Sequence, residues 1–248
     1  MILRADIQFP ADSGIARVPE ACVGDGHDLH VWRIELKRFA AWGALTAPFD
    51  TPASQPANYP GDAAISDLQA IGRRALCAIL ARYLDCPAEK LRLSRGHFGK
   101  PCLCACADDA APPLSFNLSH SASRAVVAIS SRRVGIDLEA VTADPDLQEI
   151  APWALDEDER AAMERNSDLD TRNRLLLAGW TRKEAALKAL GVGLSVEPYQ
   201  LRVIRSSVSE SASLHIGDAE AIPCTLLEFE PWPEHLAAAV LVAANGHD

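Results

Sequence analysis

The sequence predicts an α+β fold, and three observations lead there. The stretches "LHVWRIEL" (Leu29–Leu36) and "RRVGIDLEAV" (residues 132–141) carry the β-branched and alternating apolar residues of strands. Two segments, about Ala64–Leu84 and about Arg172–Leu190, repeat apolar residues at helical spacing. The tail pieces "YQLRVIRSS", "ASLHIGD", "IPCTLLEFE" and "HLAAAVLVAAN" read as a meander of strands. Both halves thus contain strands and long helices, without a residue-level repeat. At 248 residues and 48% hydrophobic, the chain can bury a core as one large domain or two small ones.

In chain order, the Leu29–Leu36 strand is followed by "TAPFDTPASQPANYPGD", a Pro- and Ala-rich loop. The first helix places Ile65, Leu68, Ala75, Leu76, Ile79 and Tyr83 on one stripe with Gly72. Arg73 falls near the border of that stripe and Arg74 on the far side. In "LSFNLSHSASRAVVAIS", two strand-like pieces are broken by Asn-Leu-Ser-His-Ser, read as a polar turn that holds His120. The next strand, "RRVGIDLEAV", has Val134, Ile136 and Leu138 on one face and Asp137 and Glu139 together on the other. "LDEDERAAM" opens a helix with acidic residues at its positive end. The helix from about Arg172 stops at Gly191, a C-cap residue by type.

Composition removes several classes. There is no apolar h-region in "MILRADIQFPADSGIARVPE" and no run of apolar residues long enough to span a bilayer, so a cytoplasmic protein without a membrane segment is expected. A net charge of −10 argues against a broad nucleic-acid surface, although a local basic pocket could still hold an anion. Seven cysteines are present, and the run Cys102, Cys104, Cys106 lacks the paired gaps of a tetrahedral zinc site. Reduced thiols are the simpler reading.

Carboxylates are the unusual feature. On the wheel of "RNRLLLAGWTRKEAALKALG", Leu176, Leu177, Trp180 and Leu187 share a stripe of ~100°, and Glu184 falls inside it. Lys183 and Lys188 lie on its two borders. An ionised carboxylate on a packed face is costly unless it is paired or binds a metal. Taken alone, Glu184 and Lys188 make an ordinary i, i+4 surface pair, and Asp137 and Glu139 a solvated strand face. Together they are three oxygen ligands on rigid elements, a set that suits magnesium rather than zinc. Magnesium held this way implies a phosphate-bearing substrate. Candidate partners are Lys183, Lys188, Lys100 in "FGKP" and His120. No Walker A motif, Rossmann fingerprint or G-x-S-x-G elbow is present.

The ordered set "FGKP", "FNLSHS", "VGIDLE" and "WTRKEAALKALGVGL" resembles the 4′-phosphopantetheinyl transferases, specifically their larger, single-chain type similar to the surfactin-synthetase activator. The resemblance runs from about His27 to Leu194 and more weakly beyond. It implies transfer of the phosphopantetheine arm of coenzyme A to a serine of an acyl or peptidyl carrier protein, with release of adenosine 3′,5′-bisphosphate. It also implies a pseudodimer of two similar halves, residues 1–132 and 133–248, each with a small antiparallel sheet packed on a long helix. The cofactor would lie in the cleft between them, the adenosine and 3′-phosphate toward the first half and the metal toward the second. By resemblance Asp137, Glu139 and Glu184 would hold magnesium, and Lys183 and Lys188 would stand near the pyrophosphate. Ser119, His120 and Arg73 would meet the 3′-phosphate and adenosine end, with Gly99 and Lys100 approaching the nucleotide. The acidic pair that often precedes this arginine in relatives is absent here, since "ISDLQAIGRR" offers only Asp67.

The chemistry is coherent on its own terms. Charge on the pyrophosphate is stabilised by the metal and a lysine, and Glu184 or a metal-held water is the candidate base for the serine proton. An acidic carrier docking on an acidic enzyme needs a local patch, for which "RRV" and "LDEDERAAMERN" are candidates. A monomer is expected. Two other readings fit the same residues: a non-catalytic carrier or coenzyme A binder, and a magnesium phosphohydrolase. The first is disfavoured by the complete set of three carboxylates and two lysines. The second would need a water-positioning base outside the metal shell, and the sequence identifies none.

Overall fold

The computed structural model describes residues 8–18, 28–45, 67–95, 100–103, 114–206 and 209–243. The 46–62 loop, Gly99, Cys104 and Cys106 lie outside these residues. The elements are β1 (Ile15–Arg17), β2 (Leu29–Glu35), α1 (Leu36–Leu45), α2 (Asp67–Leu84), β3 (Leu93–Arg95), β4 (Pro101–Leu103), β5 (Ser115–Ser121), β6 (Arg124–Ser130) and β7 (Val134–Ala140). They continue as α3 (Ala151–Ala154), α4 (Glu157–Glu164), α5 (Leu169–Leu190), β8 (Leu201–Arg205), β9 (Ser211–Ile216), β10 (Ile222–Trp232) and β11 (His235–Val242). No described helix is long and apolar enough to cross a membrane.

Two antiparallel sheets, in order β1-β2-β6-β5 and β7-β11-β10-β9-β8, make the fold α+β. Alternation along each strand assigns the layers. Trp32 and Ile34 of β2, Phe116 of β5 and Val127 and Ile129 of β6 pack on Leu76, Ile79 and Leu80 of α2. Val31, Val126 and Ala128 from the other face meet Val134, Ile136, Leu138, Ala239 and Leu241 of the second sheet. Ala238, Val240 and Leu226 then pack on Ala185, Ala186 and Ala189 of α5. The molecule is layered α2, sheet, sheet, α5.

Strand, helix and hairpin follow one another in the same order twice. β2 leads into α1 and α2 and pairs with β6 of the β5–β6 hairpin; β7 leads into α3 to α5 and pairs with β11 of the β10–β11 hairpin. The helix α5 begins and ends on sequence signals. Asp168 accepts from Thr171 N, which starts α5 three residues before the expected Arg172, and Gly191 closes it in the left-handed region at φ 71°. α4 carries a full capping box between Asp156 and Glu159.

One expectation is corrected here. The segment Asn117–Ser121 is strand, not turn, and His120 is a strand residue; the turn falls at Ala122, with φ 51°. The reason is visible in what the polar side chains bond. Ser115 Oγ accepts from Val134 N, Asn117 Oδ1 from Ile136 N and Ser121 Oγ from Ala140 N, at 3.1, 2.9 and 3.0 Å. β5 therefore runs alongside β7 in the same direction, and side chains satisfy the β7 amides that no backbone ladder reaches.

Candidate active site

The seam between β5 and β7 is where the predicted carboxylates stand. Val134, Ile136 and Leu138 turn into the core between the sheets, which sends Asp137 and Glu139 to the α5 side. α5 lies on β7 at very short range because residue 135 is glycine. A Cβ there would sit 2.0 Å from Ala185 O and 2.3 Å from Ala189 N. This approach brings Glu184 and Lys188, one turn apart on α5, over Asp137.

Asp137 is 3% exposed. Its Oδ1 accepts from Ser119 Oγ at 2.7 Å and from Lys188 Nζ at 2.5 Å. Its Oδ2 is buried with no hydrogen-bond partner, an expensive state for a carboxylate oxygen. Lys188 also reaches Glu184 Oε2 at 3.6 Å. Glu139 Oε1 accepts from Trp180 Nε1 at 3.1 Å and Oε2 from Ser121 Oγ at 3.2 Å. Burial first, and the neighbouring Asp137 second, push the Glu139 carboxyl up to about 7 against those donors. Burial likewise raises Glu184, opposed by Lys188. Burial works hardest on Lys188 in the opposite sense, yet Asp137 and Glu184 together hold its ammonium above the ordinary lysine range.

These residues suit a hard divalent cation in chemistry: three carboxylates, one of them with an orphaned buried oxygen, and one ammonium to balance them. As the side chains stand, no three acidic, imidazole or thiol groups among the described residues converge on a metal position. The Lys188 ammonium lies between Asp137 and Glu184 instead.

Lys183 is a correction. Rather than facing the pyrophosphate side, it is wholly buried on the other border of α5, 2.7 Å from Glu159 Oε2 and 3.6 Å from Asp156 Oδ2. Its neighbour Arg182 pairs with Glu159 and Glu228. Lys183 thus ties α5 to the capping box of α4, a structural task. Lys100 also differs from expectation. Its ammonium donates to Val134 O at 2.7 Å and Lys188 O at 2.9 Å, and burial, then Arg133, lowers it to about 8. It caps a carbonyl at the negative end of α5, where Arg133 does the same for Leu190 O.

Ser119 is brought into the cluster through Asp137 and Lys188, the latter at 3.3 Å. His120 is exposed on the opposite face of β5. Arg73 is half-buried on α2, next to Gly72, whose α-carbon packs at the Leu118 side chain two residues before His120. Arg73 thus lies on α2 and His120 on the face of β5 that carries Phe116 and Leu118, whereas the carboxylates stand at the β5–β7 seam. Sequence reasoning missed Gly135, Asn117 and Ser121 as site builders and read Trp180 only as a core position. The signal was present in the polar alternation Ser115, Asn117, Ser119, Ser121, which is the period of a strand.

Residues 133–241 match the sequence model of the 4′-phosphopantetheinyl transferase superfamily. The 4′-phosphopantetheinyl transferase HetI of Nostoc sp. is 28% identical over 88% of this chain and 89% of its own length. The L-aminoadipate-semialdehyde dehydrogenase-phosphopantetheinyl transferase of Mus musculus is 28% identical over 64% of this chain and 52% of its own. Enterobactin synthase component D of Salmonella typhi is 33% identical over 42% of this chain and 44% of its own. The matches to these last two thus span about half of each relative. Among solved structures, the holo-ACP-synthase of Plasmodium yoelii aligns with 45% of this chain and 94% of its own at 18% identity and a TM-score of 0.36, too distant to bear on the fold. The similarity to the 4′-phosphopantetheinyl transferases thus agrees with the resemblance carried by "FGKP", "FNLSHS", "VGIDLE" and "WTRKEAALKALGVGL", with the superfamily's own match on residues 133–241.

Proposed function

We propose that this protein transfers the 4′-phosphopantetheine group of coenzyme A to a serine hydroxyl of an acyl or peptidyl carrier protein. The serine oxygen bonds to the β-phosphorus, the bond from that phosphorus to the bridging oxygen breaks, and adenosine 3′,5′-bisphosphate leaves with the electron pair. The observation that most supports this reading is the acid surplus at the β5–β7 seam, with Asp137 Oδ2 buried and unpartnered inside the stretch that matches the superfamily. Asp137, Glu139 and Glu184 would hold magnesium, which supplies charge stabilisation to the diphosphate when bound.

The chain's own residues do the rest. Ser119 and Lys188 hold Asp137, and Trp180 and Ser121 hold Glu139, so the carboxylates are oriented before substrate arrives. Lys188 is the ammonium nearest the carboxylates and takes the diphosphate role that the resemblance shared between two lysines. Glu184, or a water held beside it by the metal, accepts the serine proton. Arg73 and His120 take the 3′-phosphate and adenosine end, and Gly99 carries the "FGKP" segment toward it, while the Lys100 ammonium stays on the carbonyls of Val134 and Lys188. The repeated order β2-β6-β5 and β7-β11-β10 supports two related halves, residues 1–132 and 133–248, with coenzyme A in the cleft between them. A monomer acting in the cytoplasm, away from nucleic acid and membrane, completes the reading.

The test measures release of adenosine 3′,5′-bisphosphate from coenzyme A with magnesium. We expect little release without carrier, rapid release with a native apo carrier, and none beyond background when its acceptor serine is alanine. Equal release in all three would make water the nucleophile and the protein a phosphohydrolase.

A further inference from the structure

Lys188 makes two kinds of contact that pull in different directions. Its ammonium is held by Asp137 Oδ1 at 2.5 Å, by Ser119 Oγ at 3.3 Å and, more loosely, by Glu184 Oε2 at 3.6 Å. Those two carboxylates are also the ones a divalent cation would need, together with Glu139. An ammonium and a divalent cation cannot share them, since two cations a few ångströms apart in a half-buried site repel strongly. One must leave for the other to enter.

The geometry says which part of Lys188 is free to move. Its carbonyl oxygen is held by Lys100 Nζ at 2.9 Å, and its carbonyl carbon lies 2.8 Å from where a Cβ on residue 135 would be. The turn of α5 is therefore pinned on β7, and only the side chain can swing. Among the described residues, Asp137 and Glu184 are the acids in ion-pair contact with Lys188. An ammonium expelled by a metal alone would lose both and stay in a half-buried place without an anion, which is unfavourable. A diphosphate arriving with the metal removes that cost, because its oxygens receive the ammonium as the carboxylates receive the metal.

We infer that Lys188 closes the metal position of the free protein, so that a metal alone enters weakly and a metal accompanied by a diphosphate enters readily. The inference rests on the proposed function for the site's occupants, and it adds an order: metal and diphosphate bind as a coupled pair. Coupling of this kind is reciprocal, so each ligand tightens the other by the same factor.

Calorimetric titration of magnesium chloride into the full-length protein tests this, for the wild type and for Lys188→Met, each with and without saturating coenzyme A. With the closing ammonium removed, Lys188→Met is expected to bind magnesium alone about tenfold or more tighter than wild type. In wild type, coenzyme A is expected to tighten magnesium by about tenfold or more, and in Lys188→Met by less than about threefold. Magnesium binding to Lys188→Met that is no tighter than to wild type overturns the inference. Should that variant not fold, amine acetylation of the wild type, read by mass spectrometry, decides instead. Labelling of Lys188 should rise several-fold on saturation with magnesium alone and fall again when coenzyme A is added; labelling indifferent to magnesium overturns the inference. Failure of carrier modification with the coupling intact would count against the proposed function and leave this inference standing. Successful modification without the coupling would do the reverse.

Discussion

The two borders of α5 hold clusters built from the same residue types, and they differ in charge balance. On one side Arg182, Lys183 and Arg205 meet Asp156, Glu159 and Glu228, three cations against three carboxylates. On the other, Lys188 is the one cation among the described residues that meets Asp137 and Glu184, with Glu139 beside them. The balanced cluster joins α4, α5 and the second sheet, and it contains the wholly buried Lys183. The unbalanced one leaves a buried carboxylate oxygen without a partner and holds Glu139 near neutrality. Similar chemistry on one helix thus serves structure where charges cancel and is available for ligand where they do not.

The largest effect should follow from removing the unbalanced side. Asp137→Asn or Glu184→Gln is expected to lower the transfer rate by about 100-fold or more while the far-ultraviolet circular dichroism and melting midpoint stay near wild type. A rate within a few-fold of wild type in either variant would move catalysis elsewhere.

Next comes the glycine that sets the α5–β7 distance. In Gly135→Ala the added methyl meets backbone atoms that have no rotamer to escape into. We expect a loss of about 3 kcal/mol or more in chemical denaturation, with transfer falling further than the fraction unfolded explains, since Glu184 and Lys188 move with the helix. An unchanged denaturation midpoint would contradict the close approach.

On the balanced side the expected signature is the opposite. Lys183→Met removes one member of a buried network and should cost about 3 kcal/mol of stability. A variant as stable as wild type would mean that the Lys183 pairs contribute little.

The smallest effect is a pH dependence. Glu139 lies at about 7 in the folded protein against an ordinary 4.5, so the folded state holds an extra proton between those values. Stability from this group is fully present below about 4.5 and lost as pH rises through 7. In metal-free protein, the melting midpoint of Glu139→Gln should therefore gain on wild type between pH 5 and about 8, and a constant difference would contradict the burial of the carboxylate.

What the sequence revealed depends on range. Asp137 and Glu139 facing away from Val134, Ile136 and Leu138 was legible, because alternation fixes sidedness within one strand. The end of α5 at Gly191 was legible for the same local reason. The separate fates of Lys183 and Lys188 were not. Both sit on the border of one stripe, and only the position of α4 on one side and β7 on the other assigns them. The seam was half legible: the polar alternation of β5 is in the sequence, but its partner, the amide edge of β7, is a tertiary fact.

On the proposed function, the unbalanced border of α5 performs the chemistry and the balanced border holds the fold. Intact-mass analysis of an apo carrier protein incubated with coenzyme A, magnesium and either Lys183→Met or Asp137→Asn, at matched folded concentration, tests it most directly. Lys183→Met is expected to modify the carrier within about threefold of the wild-type rate, and Asp137→Asn to be slower by about 100-fold or more. Loss of modification in folded Lys183→Met together with retention in Asp137→Asn would contradict it.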